Sequence, residues 1–337
     1  VSIDEQQGLI GKRSLVAKEI AEIRALASLC EQEEQLHMRI DWTLLQRRDG
    51  QQVNDFLYYS DGRLVGYLGL DGSGGSPSEV VGMVDPAYRR RGICSSLLKA
   101  AFAECRTREQ PYLILICERS SRSGQAFMRA LDATYSESEH EMWLTAAAQK
   151  DRGGDDRLSI RPFRSDELDA LVLAQAESFG EDKEYMRERV LMRLQQPNSR
   201  YYLAVLGTHD VGCEEPVGAC RLDYLLQYPQ TDRRDRANRI PPLASSRADN
   251  SIRETPNRSS DFALGESVGI YSFGVRSAYQ GRGYGRQILT EMIRLLHEQG
   301  QQHIMLDVES NNTRAFNLYS SLGFTIYATY DYYILAA

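Results

Sequence analysis

The sequence predicts an α/β (α+β) protein made of two tandem copies of one domain, each mixing strands with helices. Three observations predict it. The chain holds 337 residues, more than one domain of common size. A segment of the first half returns in the second half at a fixed spacing. Within each half, strand-like alternation and helix-like spacing of apolar residues take turns along the chain.

The repeat is read directly. Val84-Asp85-Pro86-Ala87-Tyr88-Arg89-Arg90-Arg91-Gly92 matches Val275-Arg276-Ser277-Ala278-Tyr279-Gln280-Gly281-Arg282-Gly283, with Val, Ala, Tyr and Gly in register at an offset of 191 positions (275 minus 84). The same offset carries Leu98 onto Leu289, Glu118 onto Glu309, Leu131 onto Leu322 and Leu144 onto Leu335. Upstream, Val65-Gly66 matches Val217-Gly218 at an offset of 152 (217 minus 65), each pair standing before an aspartate, Asp71 or Asp223. The second copy therefore carries 39 extra residues (191 minus 152), expected near 227–264, a stretch rich in Arg, Ser, Asn and Pro. Such a stretch in a compact domain is a functional loop or a disordered insertion. The expected domains are 1–145 and 158–337, joined by a polar, Gly-containing linker at 146–157.

The second copy sets out the element order. Leu158 to Phe163 reads as a strand, and Ser165 is placed to cap a helix running to about Phe179. A second helix follows near Lys183 to Gln195. Tyr201 to Leu206, Pro216 to Asp223 and Ser267 to Val275 read as strands. Arg282 to Glu298 has Ile288, Leu289, Met292, Leu295 and Leu296 at helical spacing. His303 to Glu309 alternates as a strand, Thr313 to Leu322 is a helix, and Phe324 to Leu335 is β-rich and aromatic. The first copy repeats this order, although no opening strand is obvious before a helix from Ser14 to Cys30.

Composition narrows the function. Apolar residues at 42% and charged residues at 26% fit a globular protein with real cores, and no apolar run approaches bilayer length. The opening residues have no signal pattern, so a cytoplasmic protein without a membrane partner is expected. Six scattered cysteines with no C-x-x-C pair point to reduced, structural thiols and no metal site. A net charge of −7 argues mildly against nucleic acid and allows a cationic substrate.

Gln280-Gly281-Arg282-Gly283-Tyr284-Gly285 lies between a strand and a helix. Glycines there let the backbone approach an anion closely, and the helix N-terminus offers free N–H groups and a positive dipole end. A ligand-free tight turn uses the same residues. The loop lacks the Gly-Lys-Ser/Thr ending of a P-loop, and its spacing is not that of a dinucleotide fold.

A second segment narrows the choice. Asn312-Thr313-Arg314-Ala315-Phe316-Asn317-Leu318-Tyr319-Ser320-Ser321-Leu322-Gly323-Phe324 follows a strand and forms a helix with a Gly-Phe stop. With the glycine loop it resembles the GNAT superfamily of acyl-CoA-dependent acetyltransferases, whose Q/R-x-x-G-x-G/A and N-x-x-A-x-x-L-Y-x-x-x-G-F motifs match 280–285 and 312–324. The resemblance covers Leu158 to Ala337 apart from the insertion. It implies a splayed mixed, largely antiparallel sheet in each copy, with acetyl-CoA as cosubstrate and no metal. It also implies that Phe273 and Val275 offer backbone groups to the thioester and pantetheine. Gln280, Gly281, Arg282, Gly283, Tyr284, Gly285 and Arg286 would hold the pyrophosphate, and Asn312 would bond pantetheine. Tyr319 would stand beside the sulfur as general acid; a packed core tyrosine is the competing reading. The position at which many relatives carry a basic glutamate is Gly269. Glu266 on the same strand is a weak candidate base, and a solvated Glu or a proton lost through water competes with it.

The first copy keeps part of this. Arg89, Arg91 and Gly92 still make an anion site before a helix, but Cys94 replaces the third glycine, and Ser121 and Met128 replace Asn312 and Tyr319. A thioether cannot protonate a thiolate. The first copy is thus expected to be degenerate, as in tandem members of the superfamily such as mycothiol synthase. The resemblance implies acetyl transfer to a small-molecule or peptide amine, with a cysteinyl conjugate or a non-catalytic acyl-CoA-binding module as the alternatives.

Overall fold

The computed structural model describes residues 7–72, 77–144, 155–207, 214–225 and 267–336. The expected insertion at 227–264, residues 146–154 of the linker and Glu266 lie outside the described residues. Twelve strands and eight α-helices occur among those described. They pack as two compact units, one of Val1–His140, Glu309–Asn311 and Ala328–Ala337, the other of Glu141–Val308 and Asn312–Tyr327.

The first unit opens with β1 (Gly8–Lys12), α1 (Ala17–Glu34), α2 (Trp42–Gln46), β2 (Asp55–Ser60), β3 (Arg63–Asp71) and β4 (Glu79–Val84). After them come α3 (Ile93–Thr107), β5 (Tyr112–Glu118), α4 (Arg122–Ala130) and β6 (Thr134–Leu144), whose residues from Glu141 on belong to the second unit. β1 is the strand that sequence reading leaves unassigned. It has two glycines and no apolar run, and it forms by pairing antiparallel with β2. α1 buries Ile23, Leu26, Ala27 and Cys30 at helical spacing against Leu57, Tyr59 and Tyr67 on one sheet face. α3 buries Leu97, Leu98 and Ala101 against Leu68, Leu70, Leu113 and Leu115 on the other.

The second unit contains β7 (Leu158–Pro162), α5 (Leu168–Phe179), α6 (Lys183–Leu194), β8 (Ser199–Gly207), β9 (Glu214–Leu225) and β10 (Ser267–Val275). α7 (Tyr284–Glu298), β11 (His303–Glu309), α8 (Thr313–Ser321) and β12 (Phe324–Ala336) follow. Its sheet runs β11-β10-β9-β8-β7. α5 and α6 cover one face through Leu171, Val172, Val190, Leu203 and Ala219. α7 and α8 cover the other through Ile288, Leu289, Met292, Leu306 and Tyr319. Ser165 makes no capping hydrogen bond; it lies in a one-turn 3-10 helix, where Glu167 accepts from the Arg164 N–H at 3.0 Å. The Arg164 N–H is not a donor that a Ser165 cap would serve; α5 itself begins only at Leu168, with Glu167 at its N-cap position.

The packing boundary differs from the repeat boundary at the end of the chain. From Tyr330 to Ala336, β12 pairs antiparallel with β5, giving the first unit the order β1-β2-β3-β4-β5-β12. The buried Asp331 carboxylate fixes that register. It accepts from Arg119 Nη2 at 2.7 Å, Ser138 Oγ at 2.7 Å and Gln125 Nε2 at 3.0 Å. Such charge-assisted bonds are stronger than neutral ones.

Each sheet is splayed at its one parallel junction. β4 and β5 are paired only at Glu79–Ile114 and Val80–Leu115. β10 and β11 are paired from Ser267–His303 to Ile270–Leu306 and no further. The mixed, largely antiparallel and splayed architecture is therefore present in both units. No helix among the described residues is long and apolar enough to cross a membrane.

Candidate active site

In the second unit the splay is accompanied by a bulge. Tyr271 pairs with Arg221 and Gly274 with Ala219, so Ser272 and Phe273 stand opposite the single residue Cys220. Ser272 takes φ +47°, and Gln175 of α5 donates to its carbonyl at 2.8 Å. The β4 ladder of the first unit is continuous from Gly66–Val84 to Asp71–Glu79. One of the 39 extra residues is thus Ser272, hidden in the difference between the two offsets. The β10–β11 ladder ends at Ile270–Leu306, and backbone groups on a strand edge beyond such an end can pair with an extended ligand. Phe273 and Val275, expected to offer backbone groups, lie on this edge.

The glycine loop follows at once. Gly281 and Gly283 take φ +75° and +88°, a region costly for other residues, and a Cβ at either would meet no heavy atom within 4 Å. These glycines are needed for backbone shape, and the space above them is open. Gly283 is the N-cap of α7, whose first N–H groups face that space. Gln280 donates to the Val275 carbonyl and accepts from Arg314 Nη1, both at 2.8 Å, so its side chain braces the loop. Tyr284 donates to Asp155 at 2.9 Å. Arg286 donates to Ser321 Oγ at 2.5 Å, and Arg282 lies over the Tyr279 ring. A Cβ at Gly285 would make ordinary contacts with Leu318, Phe273 and Val275.

α8 brings the second motif to the same place. Asn312 is its N-cap, with Oδ1 accepting from the Ala315 N–H at 3.1 Å. Its acceptor thus serves the helix, leaving the amide N–H groups to donate to a ligand carbonyl. Tyr319 is 7% exposed, with ring centroids 6.4 Å from Phe273 and 6.3 Å from Phe324. Its burial pushes the phenol up to about 12.

The register also accounts for the missing glutamate. Gly269 pairs with Asp223 as Glu79 pairs with Asp71, so the position holding Gly in the second copy holds Glu in the first. A Cβ at Gly269 would lie 2.3 Å from the Tyr271 ring, which takes that room. The carboxylate nearest the fork by register is Asp307, the first residue of β11 past the last parallel pair. Sequence reading missed it, because its signal is the end of a ladder. Among the described residues, no cluster of His, Cys, Asp or Glu is disposed to hold a metal.

The first unit repeats the loop's backbone. Arg90 and Gly92 take φ +65° and +78°, matching Gly281 and Gly283 at the same offset, and Gly92 caps α3. Its side chains are otherwise engaged. Arg89 donates to the Val84 carbonyl at 3.2 Å and pairs with Glu34, and Arg91 donates to the Ala87 carbonyl at 3.1 Å. Glu34 also accepts from the Ser123 N–H at 3.1 Å and from Ser121 Oγ at 3.3 Å, so a carboxylate of α1 sits at the α4 N-terminus. Burial would raise this carboxyl, but the Ser123 hydrogen bonds and the Arg89 charge hold it below its ordinary range. Met128 is buried in the core at the place of Tyr319.

A profile of the Acetyltransferase (GNAT) family matches residues 18–132 and 168–324, once in each copy. The mycothiol acetyltransferase of Renibacterium salmoninarum is 42% identical over 62 residues, 18% of this chain and 18% of that protein. The [Ribosomal protein bS18]-alanine N-acetyltransferase of Haemophilus ducreyi is 36% identical over 55 residues, 16% of this chain and 38% of that protein. The matched stretches thus span less than two thirds of these relatives' own lengths. Among solved structures, a GCN5-related N-acetyltransferase from Sphaerobacter thermophilus superposes with TM-score 0.67 at 18% identity, covering 97% of this chain and 95% of that one. A tandem GNAT protein from the clavulanic acid biosynthesis pathway gives 0.65 at 16% identity, over 97% and 98%. These two likenesses bear on the fold.

Proposed function

Because the chain belongs to the acetyltransferase (GNAT) family, we propose that its second copy transfers an acetyl group from acetyl-CoA to a primary amine by direct attack. The observation that carries the reading is the convergence, in that copy alone, of a bulged strand edge, a loop with two left-handed glycines and the buried Tyr319. The fit to acetyl-CoA rests on the open space above Gly281 and Gly283 at a helix N-terminus, which suits a diphosphate. The bound cosubstrate supplies an acetyl thioester. Backbone N–H groups at Phe273 and Val275 are suited to donate to the oxygen that becomes negative when the amine attacks. Asp307 accepts the proton that the amine must lose, directly or through water. Tyr319 donates a hydrogen bond to the departing sulfur. Asn312 donates to an amide carbonyl of the pantetheine arm, and Arg282 and Arg286 balance the phosphate charge.

The domains that follow from this reading are a degenerate copy at 1–145 and a working copy at 158–337. In the first copy Glu34 already satisfies Arg89 and the α4 N-terminus. A cysteinyl conjugate as acceptor is the second reading, favoured by relatives named mycothiol acetyltransferase. The test is steady-state release of free CoA from acetyl-CoA across a panel of amines that includes cysteinyl amino-sugar conjugates. Amine-dependent release is the expected result. Tight acetyl-CoA binding with no release for any amine would make the chain an acyl-CoA-binding module.

A further inference from the structure

The two copies act as controls for each other, because the same fold is built twice with different side chains. Their registers give the equivalences directly. Gly69 pairs with Val81 as Arg221 pairs with Tyr271, while Ile116 follows Leu115 as Asp307 follows Leu306. Where the second unit has Arg221, Tyr271 and Asp307, the first has Gly69, Val81 and Ile116. Glycine and aliphatic residues therefore satisfy the fold at these positions, and the polar set answers some other need.

These residues share a face. Tyr201, Arg221 and Tyr271 are cross-strand partners in one row over β8, β9 and β10, and Asp307 continues that row beyond the last β10–β11 pair. The row lies on the α5 and α6 side of the sheet, opposite the face where Tyr319 and Phe273 join the core with α7 and α8. Arg221 is held firmly there. Its guanidinium carbon stands 5.2 Å from the Tyr271 ring centroid, and Nε donates to Asp223 Oδ1 at 2.9 Å. Ser199 Oγ donates to the same oxygen at 2.6 Å. Burial raises the Tyr201 phenol, and the charges of Arg221 and of Arg193 on α6 act against that rise. A guanidinium fixed through Nε and by stacking keeps its plane, and its Nη edge is the part that can read a planar anion in two-point fashion. Asp223 engages Arg221 through Nε alone.

On the acetyl-transfer reading above, we propose that Arg221 reads a carboxylate on the acceptor, making amines with a carboxylate several ångströms away, such as the side-chain amine of an amino acid or the N-terminus of a short peptide, the preferred substrates. Strand spacing sets the reach. β9 lies one strand from the open edge of β10, so the acceptor's amine and carboxylate stand roughly 5–10 Å apart. Asp307 faces the amine end of such a zwitterion and Arg221 its carboxylate end. Polyamines and other polycations offer nothing to Arg221 and are poor acceptors.

The wild-type protein is assayed for CoA release with each amine supplied as the free acid and as its primary amide. The acid is expected to exceed the amide at least tenfold in kcat/KM. Arg221→Gln raises KM for the acid at least tenfold with little change in kcat and leaves the amide unaffected; Arg221→Lys recovers part of the loss. Equal rates for acid and amide on the wild-type protein overturn the proposal. So does an Arg221→Gln variant that loses both forms alike with a lowered Tm, which would make Arg221 a brace of β8 to β10. Failure of every amine, in either form, to bring about CoA release defeats the acetyl-transfer reading itself, and this proposal with it.

Discussion

Tyr319 sits against Phe273 and Phe324, and burial alone pushes its phenol up to about 12. The hydroxyl is therefore protonated throughout the pH range in which amines become neutral. An ordinary thiol titrates near 8.5, so full transfer of the phenolic proton to a thiolate runs uphill by about 3.5 pH units, roughly 5 kcal/mol. The role that fits is a hydrogen bond that strengthens as charge grows on the sulfur, not free release of a proton. Tyr319→Phe is expected to lower kcat at least tenfold with little change in acetyl-CoA affinity. Wild-type activity should rise with pH toward the pKa of the amine, with no fall traceable to Tyr319 below about pH 11. A descending limb near pH 10 that vanishes in Tyr319→Phe would mean the phenol titrates normally and is not sealed by its neighbours.

At the scale of elements, the two loops offer a controlled comparison. Gly283 and Gly92 have the same left-handed conformation, at φ +88° and +78°, with no heavy atom within 4 Å of a Cβ built on either. A glutamate at either site carries the same backbone penalty, about 1–2 kcal/mol, so a difference in activity reports on the ligand. Gly283→Glu is expected to abolish turnover, while Gly92→Glu retains most of it; equal loss in two folded variants would give the first copy a part in catalysis. Much of this element was legible in the sequence, because glycine spacing, the helix that follows and the Asn312 to Phe324 segment are local signals. The bulge at Ser272 was not, since one inserted residue leaves strand composition unchanged and shows only against the partner strand. For the same reason Asp307 escaped notice while Tyr319 did not. Ser165 misled as a cap because the chain makes a 3-10 turn over Ser165–Glu167 before α5 begins at Leu168.

Across the whole molecule, the last strand from Tyr330 on belongs by its pairing to the first unit. Nothing in the composition of Phe324 to Leu335 announced this, since an aromatic, β-rich strand is equally suited to either sheet. The Asp331 network is the specific part: Arg119, Ser138 and Gln125 converge on one buried carboxylate. Asp331→Ala leaves these donors unpaired and is expected to cost roughly 1–3 kcal/mol. Amide hydrogen exchange should then rise along Tyr112–Glu118, where β12 supplies the partner backbone. Unchanged protection there would mean that the strand is held by its ladder alone. The pairing also separates the order of synthesis from the order of assembly. Glu118 leaves the ribosome 212 residues ahead of its partner Tyr330 (330 minus 118), a delay of roughly 10–40 s at ordinary translation rates. Through that interval β5 lacks its β12 partner, and an unpaired strand edge is the kind of surface that recruits stray strands. A ribosome that stalls late in the second copy leaves a nascent chain whose first copy is the one still unfinished.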